Sequence, residues 1–436
     1  MNALIQSHKR SKLYETAQVA DDYDRCKNTT IMNYQKKITL LTGEQVADRF
    51  SATHRAACNF FNIFTTQLNQ YLLGNGANLT EESYKILGDD FDSVLQKLGK
   101  QALLGGVSFG FFNLDHVNAF SALEFAPLYD EETGGLAAGV RFWQLDTNKP
   151  LRATLYELDG YTEYMWTETA DDAWSKLTDG IYTRTKKAYK YETVTTAAEG
   201  TEIIGGEAYP GFPIIPLFAN PHRQSEIVGL REKIDAYDFV SSGFCDDLDN
   251  AQLFWIIQGA QGMDDPDLMQ FLERLKTVKM AAPGDGQSVT PVTVDIPYAA
   301  RETLLNRLET QLYKDAMILN PDFIAGGAVT ATQIRAAYER QNVKADMFEY
   351  QILDFCNQLF KIAEVDDTPT FTRSTVINVQ DEINAVISAA QFLDGEYVTR
   401  KLLTLLGDGD KADEMIGKML ADAMPTMTVA ETGEEE

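Results

Sequence analysis

The stretch that decides how this chain is read runs from Pro213 to Gly262. A proline-punctuated apolar run, Pro213-Ile214-Ile215-Pro216-Leu217-Phe218, meets a polar turn, Asn220-Pro221-His222-Arg223. Apolar residues then recur at Ile227, Leu230, Ile234, Tyr237, Phe244 and Leu248, the spacing of a helix. Ser225 is the expected N-cap, and Glu226 beside it suits the positive end of the helix dipole. Arg231, Glu232, Lys233, Asp235, Asp238, Asp246, Asp247 and Asp249 are expected on a solvated outer face. A second apolar run, Leu253-Phe254-Trp255-Ile256-Ile257, follows. Such a helix is a strut that needs a neighbour, in the same chain or in another copy.

The order of segments continues downstream. A helix and strand near 266–280 precede the turn Gly284-Asp285-Gly286. The strand Val292-Thr293-Val294-Asp295-Ile296-Pro297 then leads into a second amphipathic helix over 298–318. A loop holding Asn320-Pro321-Asp322 and Gly326-Gly327 comes next. Thr330-Ala331-Thr332-Gln333 reads as a capping box, with Thr330 as N-cap and Gln333 at N3, opening a helix to about residue 364. Ile334, Tyr338, Phe348, Ile352, Phe355 and Phe360 make its apolar face. At about 1.5 Å per residue it spans roughly 50 Å.

This order of segments, with the strings Ile234-Asp235-Ala236-Tyr237-Asp238 and Asp246-Asp247-Leu248-Asp249, resembles the portal proteins of tailed bacteriophages, in the branch with long non-contractile tails. The resemblance covers roughly 50–405. It implies an α+β, portal-like fold: an α/β wing, a two-helix stem, a small α/β clip, a long wing helix and a C-terminal helical crown. The segments expected are an N-terminal arm (1–50), wing (51–223), first stem helix (224–252), clip (253–297), second stem helix (298–318), tunnel loop (319–330), long wing helix with a returning strand (331–394), crown (395–424) and an acidic disordered tail (425–436). It also implies a non-enzymatic, dodecameric ring at one capsid vertex. Double-stranded DNA would pass through it without sequence-specific binding. Terminase, head-completion proteins, and major capsid and scaffold proteins would be its partners, in the virion and earlier in the host cytoplasm. Lys314, Asn320, Asp322, Phe323, Ile324, Gly326 and Gly327 are then expected at the channel. Asp264, Asp265, Asp267, Asp285 and Gln287 are expected where partners dock. Phe254 and Trp255, at the stem-clip junction, would pack between subunits.

Bulk properties narrow the function classes. The 436 residues carry 38 Lys+Arg against 65 Asp+Glu, a net charge of −27. A chain this acidic is poorly suited to gripping nucleic acid, because phosphate binding needs clustered cations. A duct through which a duplex slides is the opposite case, since a basic lining would hold the DNA. Cys26, Cys58, Cys245 and Cys356 are widely spaced, so a reducing compartment is expected and a disulfide framework is not. No apolar run is long enough to span a bilayer, and no cofactor is implied.

The rest of the chain reads as an α-then-meander domain. Helices are expected over 51–73 and 81–102, stopped first by Gly74-Asn75-Gly76. Strands follow at 107–112, 125–129, 136–145, 151–158 and 161–167, with a pair at 181–195. After Pro369 a strand (371–379), helices at 381–392 and 396–406, and a last helix through Ile416 and Leu420 complete it.

Three motifs compete with the structural reading. Gly106-Val107-Ser108-Phe109-Gly110 is a literal G-x-S-x-G. A hydrolase elbow, however, needs a strand before the serine and a helix after it, and here the order is reversed. Ser108 is the lead of the rival reading, an acidic intracellular α+β enzyme. The other rival is a capsid-associated structural protein that is not a portal. Asp246, Asp247 and Asp249 could ligate a divalent cation, against a plain solvated face. Asp408, Asp410 and Asp413 fail as a calcium loop because Met419 stands where the bidentate Glu is needed. Lys186, Lys187 and Lys190, interleaved with Tyr182, Tyr189 and Tyr191, could stack single-stranded nucleic acid, against a half-exposed strand pair. No G-x-x-x-x-G-K-[ST] loop occurs, so any packaging motor is a different chain.

Overall fold

A computed structural model describes residues 1–39, 44–48, 52–166, 181–183, 186–196, 200–250, 254–258, 270, 288–292, 297–321, 331–374, 383, 386–406 and 412–423. Helices and strands are both present, and the chain divides into two units. The first is Met1–Asn320 with Arg340–Ser374; the second is Pro321–Glu339 with Thr375–Glu436.

The first unit opens with α1 (Asn2–Lys9), α2 (Lys12–Asp24), α3 (Thr29–Met32) and a hairpin of β1 (Lys37–Thr39) and β2 (Gln45–Ala47). Then come α4 (Phe60–Leu73), α5 (Glu81–Leu87) and α6 (Phe91–Gly105). Three strands, β3 (Val107–Asn113), β4 (His116–Ser121) and β12 (Ile214–Phe218), form one sheet in the order β12-β3-β4. A second, five-stranded antiparallel meander is β5 (Phe125–Tyr129), β6 (Leu136–Trp143), β7 (Arg152–Glu157), β8 (Gly160–Trp166) and β9 (Ile181–Thr183). Strands β10 (Lys190–Thr196) and β11 (Gly200–Glu207) pair with each other. The pair expected at 181–195 is thus split: β9 closes the meander and β10 belongs to its own ribbon.

Helix α6 organises the core. Phe91, Leu95, Leu98, Ala102 and Leu103 are all buried on it. It ends at Gly106, whose φ of +81° suits glycine, and a Cβ there would lie 2.8 Å from the Arg223 carbonyl oxygen. The chain turns straight into β3, which is buried on both faces. Phe109, Phe111, Phe120, Phe125 and Tyr156 join the two sheets through ring contacts of 4.5–6.1 Å. Pro216 sits on the edge strand β12. Phe112 donates its N–H to the Pro213 carbonyl, and Ala219 donates to that of Gly106. By alternation Pro216 turns its missing N–H outward, where no ladder bond is lost.

Several expectations change here. Helices α1 and α2 pack into the core. Ile5 of α1 is fully buried with Ala126, Val140, Phe142, Leu151 and Ala153 of the meander. Ala17, Ala20 and Tyr23 of α2 are buried as well. Small alanines give a weak apolar signal although they allow close helix packing. The helix expected over 51–73 begins only at Phe60. The helix expected over 81–102 is two helices, separated at Gly88 with φ +100°. Residues 371–374 form no strand. Thr370 and Ser374 instead donate their N–H groups to the carbonyls of Ala77 and Tyr71; residues 375–379 lie outside the described residues.

The helix pair follows β12: α7 (Arg231–Asn250), β13 (Phe254–Gln258), β14 (Ser288–Val292) and α8 (Tyr298–Ala316). The long helix α9 (Ala331–Ala363) buries Tyr338, Phe348, Ile352, Phe355 and Phe360, as its spacing predicted. Thr330 lies outside the described residues. In the second unit a 3-10 turn (Ala390–Phe392) precedes α10 (Gly395–Leu406) and α11 (Ala412–Ala423). Arg400 of α10 and Asp413 of α11 pair at 2.7 Å. Among the described residues no helix is long and apolar enough to cross a membrane.

Candidate functional site

Two ion pairs define how α7 and α8 lie together. Lys233, near the start of α7, bonds Asp315 at the end of α8. Asp247, near the end of α7, bonds Arg301 at the start of α8. The helices are therefore antiparallel. Arg301 also lies 5.8 Å from the Phe244 ring centroid. Beneath them α4 supplies Phe60, edge-on to Tyr237 at 5.0 Å, and Phe64, edge-on to Tyr313 at 5.1 Å. The strands that leave α7 and enter α8 pair antiparallel, Phe254 opposite Val292 and Gln258 opposite Ser288. Helix, strand, strand and helix thus form one out-and-back arm. The Arg301–Asp247 pair is partly exposed, so reversal to Arg301→Asp is expected to cost roughly 0.5–1 kcal/mol. Asp247→Arg should restore most of it, read as the coupling term of a double-mutant cycle in urea.

The helix starts later than its sequence implies. Ser225 accepts the N–H of Ile227 at 3.2 Å and so closes a turn rather than capping the helix. Gly229 has φ +86°, which interrupts helical geometry before Arg231. Glu226 is fixed by its own N–H, donated to the Leu103 carbonyl, and by Lys344 at 2.6 Å.

Part of the polar face of α7 is not solvated, although Glu232 and Asp249 are exposed as expected. Asp238, Ser242 and Asp246 are 0%, 3% and 7% exposed. Each accepts a backbone N–H from the extended segment 52–58: Cys58 to Asp238 (2.9 Å), Ala56 to Ser242 (2.9 Å) and His54 to Asp246 (2.6 Å). The geometry works because two residues of extended chain rise about 6.6 Å and four residues of helix about 6.0 Å. Every second N–H therefore meets every fourth side chain. This strap explains why 52–58 is not helical: its amides are already engaged. Asn28 also donates to Asp238, at 2.5 Å, and Tyr23 and Thr30 donate to Asp235. Burial pushes the Asp238 carboxyl above the ordinary range, against the opposing effect of those donors. Burial and Asp238 together push the Cys58 thiol up. The strap was not foreseen, but the i, i+4, i+8 spacing of Asp238, Ser242 and Asp246 on one helix face was its signal.

The three candidate cation ligands are taken up by cationic or imidazole groups of the chain, two of them by one histidine. Asp247 holds Arg301, while Asp246 and Asp249 take opposite nitrogens of His54 at 2.9 and 3.3 Å. Among the described residues no cluster suited to a metal occurs. Ser108 is fully buried, and its hydroxyl donates to the Leu98 carbonyl at 2.8 Å, which ties up the enzyme reading's only lead. Two lysines of the basic-aromatic patch are paired, Lys186 with Glu157 and Asp159 and Lys187 with Glu163; Lys190 lies 5.1 Å over the Tyr209 ring, and Tyr189 is buried. The side chains of Tyr182 and Tyr191 lie outside the described residues. His222 is exposed in its turn.

At the far end of α8, Met317 adopts a left-handed C-cap with φ 56°. Residues 316–319 are pinned from three sides. Lys344 donates to the Ala316 carbonyl (2.8 Å), Gln67 to that of Leu319 (3.1 Å), and Leu319 donates its N–H to Gln341 (3.1 Å). Lys314 is exposed and Asn320 half-buried just beyond. Asp322, Phe323, Ile324, Gly326 and Gly327 lie outside the described residues, as do Asp264, Asp265, Asp267, Asp285 and Gln287.

With this arrangement established, comparison with known proteins gives the class. The family described as "Phage portal protein, SPP1 Gp6-like" matches residues 7–424, and the chain belongs to that family. The portal protein of Bacillus phage SPP1 is 24% identical over 380 residues, 79% of this chain and 72% of that one. The portal protein of Clostridium phage phiCD119 is 23% identical over 361 residues, 75% of this chain and 76% of that one. Among solved structures, a chain in the neck of a native gene transfer agent particle aligns with a TM-score of 0.41 at 14% identity, over 78% of this chain and 89% of that one. That likeness is too low to bear on the argument. Family membership gives the chain a portal, or head-to-tail connector, role among structural proteins of the virion.

Proposed function

We propose that copies of this chain close into a dodecameric ring at one capsid vertex, whose axial channel admits double-stranded DNA during packaging and releases it at ejection. In this reading the chain has no catalytic role. Helices within 224–252 and 298–318 are the stem, and 253–297 is the clip. There Asp264, Asp265, Asp267, Asp285 and Gln287 dock terminase and later the head-completion proteins. Residues 319–330 are the tunnel loop, whose Asn320, Asp322, Phe323, Ile324, Gly326 and Gly327, with Lys314 beside them, face the DNA. Residues 51–223 and 331–394 form the wing, which meets major capsid and scaffold proteins, and 395–424 form the crown.

The observation that carries the reading is the out-and-back arm, with α7 and β13 returning as β14 and α8. Two antiparallel struts bound at both ends can line a duct without closing it. The net charge of −27 supports sliding over gripping, because a like-charged wall leaves a duplex free to move. The test is electron microscopy of the purified protein after sizing by light scattering. Rings with a central hole are the expected result. A compact dimer without a channel would overturn the reading.

A further inference from the structure

The edge of β12 away from β3 pairs with no strand among the described residues, and a cleft of about 530 Å³ opens beside it. Ile214, Pro216 and Phe218 line the cleft from the strand, Ile362 from α9, and Tyr129 and Leu136 from the β5–β6 hairpin. Strand β3 engages the backbone of the odd-numbered residues 213 to 219. Ile214 and Phe218 therefore aim their N–H and C=O groups toward the open edge, and Pro216 between them offers a carbonyl alone. An extended chain of three or four residues laid there would lengthen the sheet, with its side chains alternating between the two faces.

The charge in the cleft runs against that of the molecule. Its charged lining residues are Arg223, Lys361 and Asp354. Asp354 accepts the side-chain amide of Gln358 at 3.0 Å. Arg223 and Lys361 are exposed, and neither pairs with a carboxylate among the described residues. The Arg223 guanidinium is instead laid over the Phe218 ring, 4.2 Å from its centroid, on a backbone with a left-handed φ of 55°. Glu131 and Glu132 at the hairpin tip, and Glu364 beyond Lys361, are exposed but outside the lining. The cleft thus holds two cations against one carboxylate, where the whole chain has 38 against 65. A guanidinium stacked on a ring and left without a carboxylate is a planar fork ready for one.

We propose that this cleft seats an extended segment of a partner protein in which apolar residues alternate with acidic ones. The segment's main chain pairs with the free edge of β12. Its apolar side chains meet Ile214, Leu136 and Ile362, and a carboxylate reaches Arg223 and Lys361. The site lies outside the out-and-back arm and does not depend on the ring reading.

The net charge makes the test a stringent one, because general electrostatics on this chain favour a basic ligand over an acidic one. Labelled peptides Val-Glu-Val-Glu-Val and Val-Lys-Val-Lys-Val are titrated with the purified protein and followed by fluorescence anisotropy. The acidic peptide should bind about tenfold more tightly. R223E/K361E should reverse the preference, and R223Q/K361Q should weaken the acidic peptide by about tenfold, with circular dichroism unchanged in both. K149Q/R152Q removes the same charge at the opposite end of β6, and should bind as the unmodified protein does. An acidic peptide with N-methylated backbone amides should lose about tenfold as well, because it cannot donate to the strand edge. Equal binding of the two peptides, or tighter binding of the basic one, would overturn the proposal. So would an acidic peptide indifferent to both Arg223–Lys361 variants, or one weakened as much by K149Q/R152Q. Undiminished binding of the N-methylated peptide would overturn pairing with β12.

Discussion

Phe355→Ala should lower the stability of the first unit by about 3–5 kcal/mol, the range for truncating a fully buried aromatic. Phe355 is 0% exposed, and its ring tip occupies a notch that exists because residue 110 has no side chain. A Cβ on Gly110 would come within 2.6 Å of the Phe355 ring and 3.4 Å of Leu98. The long helix is thus locked into the central strand by one ring in one gap. Truncating the ring leaves a cavity walled by β3 and α6, two elements too well packed elsewhere to collapse into it. The complementary change, Gly110→Ala, should cost about 1–3 kcal/mol by overpacking in the unmodified protein. In the Phe355→Ala background the same methyl group enters empty space, so the double variant should be more stable than the sum of the two. Urea unfolding of all four proteins measures this. Strict additivity would mean that Phe355 is not seated in that notch.

Asp238→Ala should cost about 2–4 kcal/mol, because it strands the Cys58 amide and the Asn28 side-chain amide in a buried site without an acceptor. The change acts at the middle of the strap, so its signature is local. Amide exchange of residues 54–58 should accelerate more than that of α8. Asp238→Asn keeps one acceptor and isolates the charge. Burial raises the native carboxyl pKa above its unfolded value near ~3.9. The native state therefore holds this proton more tightly than the unfolded chain does. The stability that Asp238 contributes is fully present below about pH 4 and is lost as pH rises through the elevated native pKa. Asparagine does not titrate, so the stability of D238N relative to the unmodified protein should improve as pH rises across that window. Midpoints in urea over a pH series test this. A constant difference would mean that the donors around Asp238 fully offset its burial.

The family was legible because it is written in segment order. A proline-bearing edge strand, an amphipathic helix, two short strands, a second helix and a long helix follow from local periodicity and turn residues. Each signal lies within its own segment. The apolar face of α9 was legible for the same reason, since Phe348, Ile352, Phe355 and Phe360 are spaced as a helix demands. The wrong context of Ser108 was legible from sequence too, because a strand after the serine disfavours a nucleophile, although only its buried bond to the Leu98 carbonyl ties it up.

What local pattern could not carry was partnership between distant segments. Asp238 and Asp246 look solvated until residues 52–58 are laid along them, from 180 to 192 positions earlier in the chain. Residues 52–58 in turn look helical until those side chains claim their amides. Ile5 and the alanines of α2 look like part of a polar arm until the meander and α6 cover them. In each case the intrinsic preference of one segment was outweighed by hydrogen bonds or burial supplied by another. Sequence by itself determined the kind and order of the elements, because periodicity and turn chemistry act within a few residues. Tertiary structure alone decided which polar rows are buried and where two helices really begin, because those depend on which remote backbone donors and apolar faces arrive to meet them.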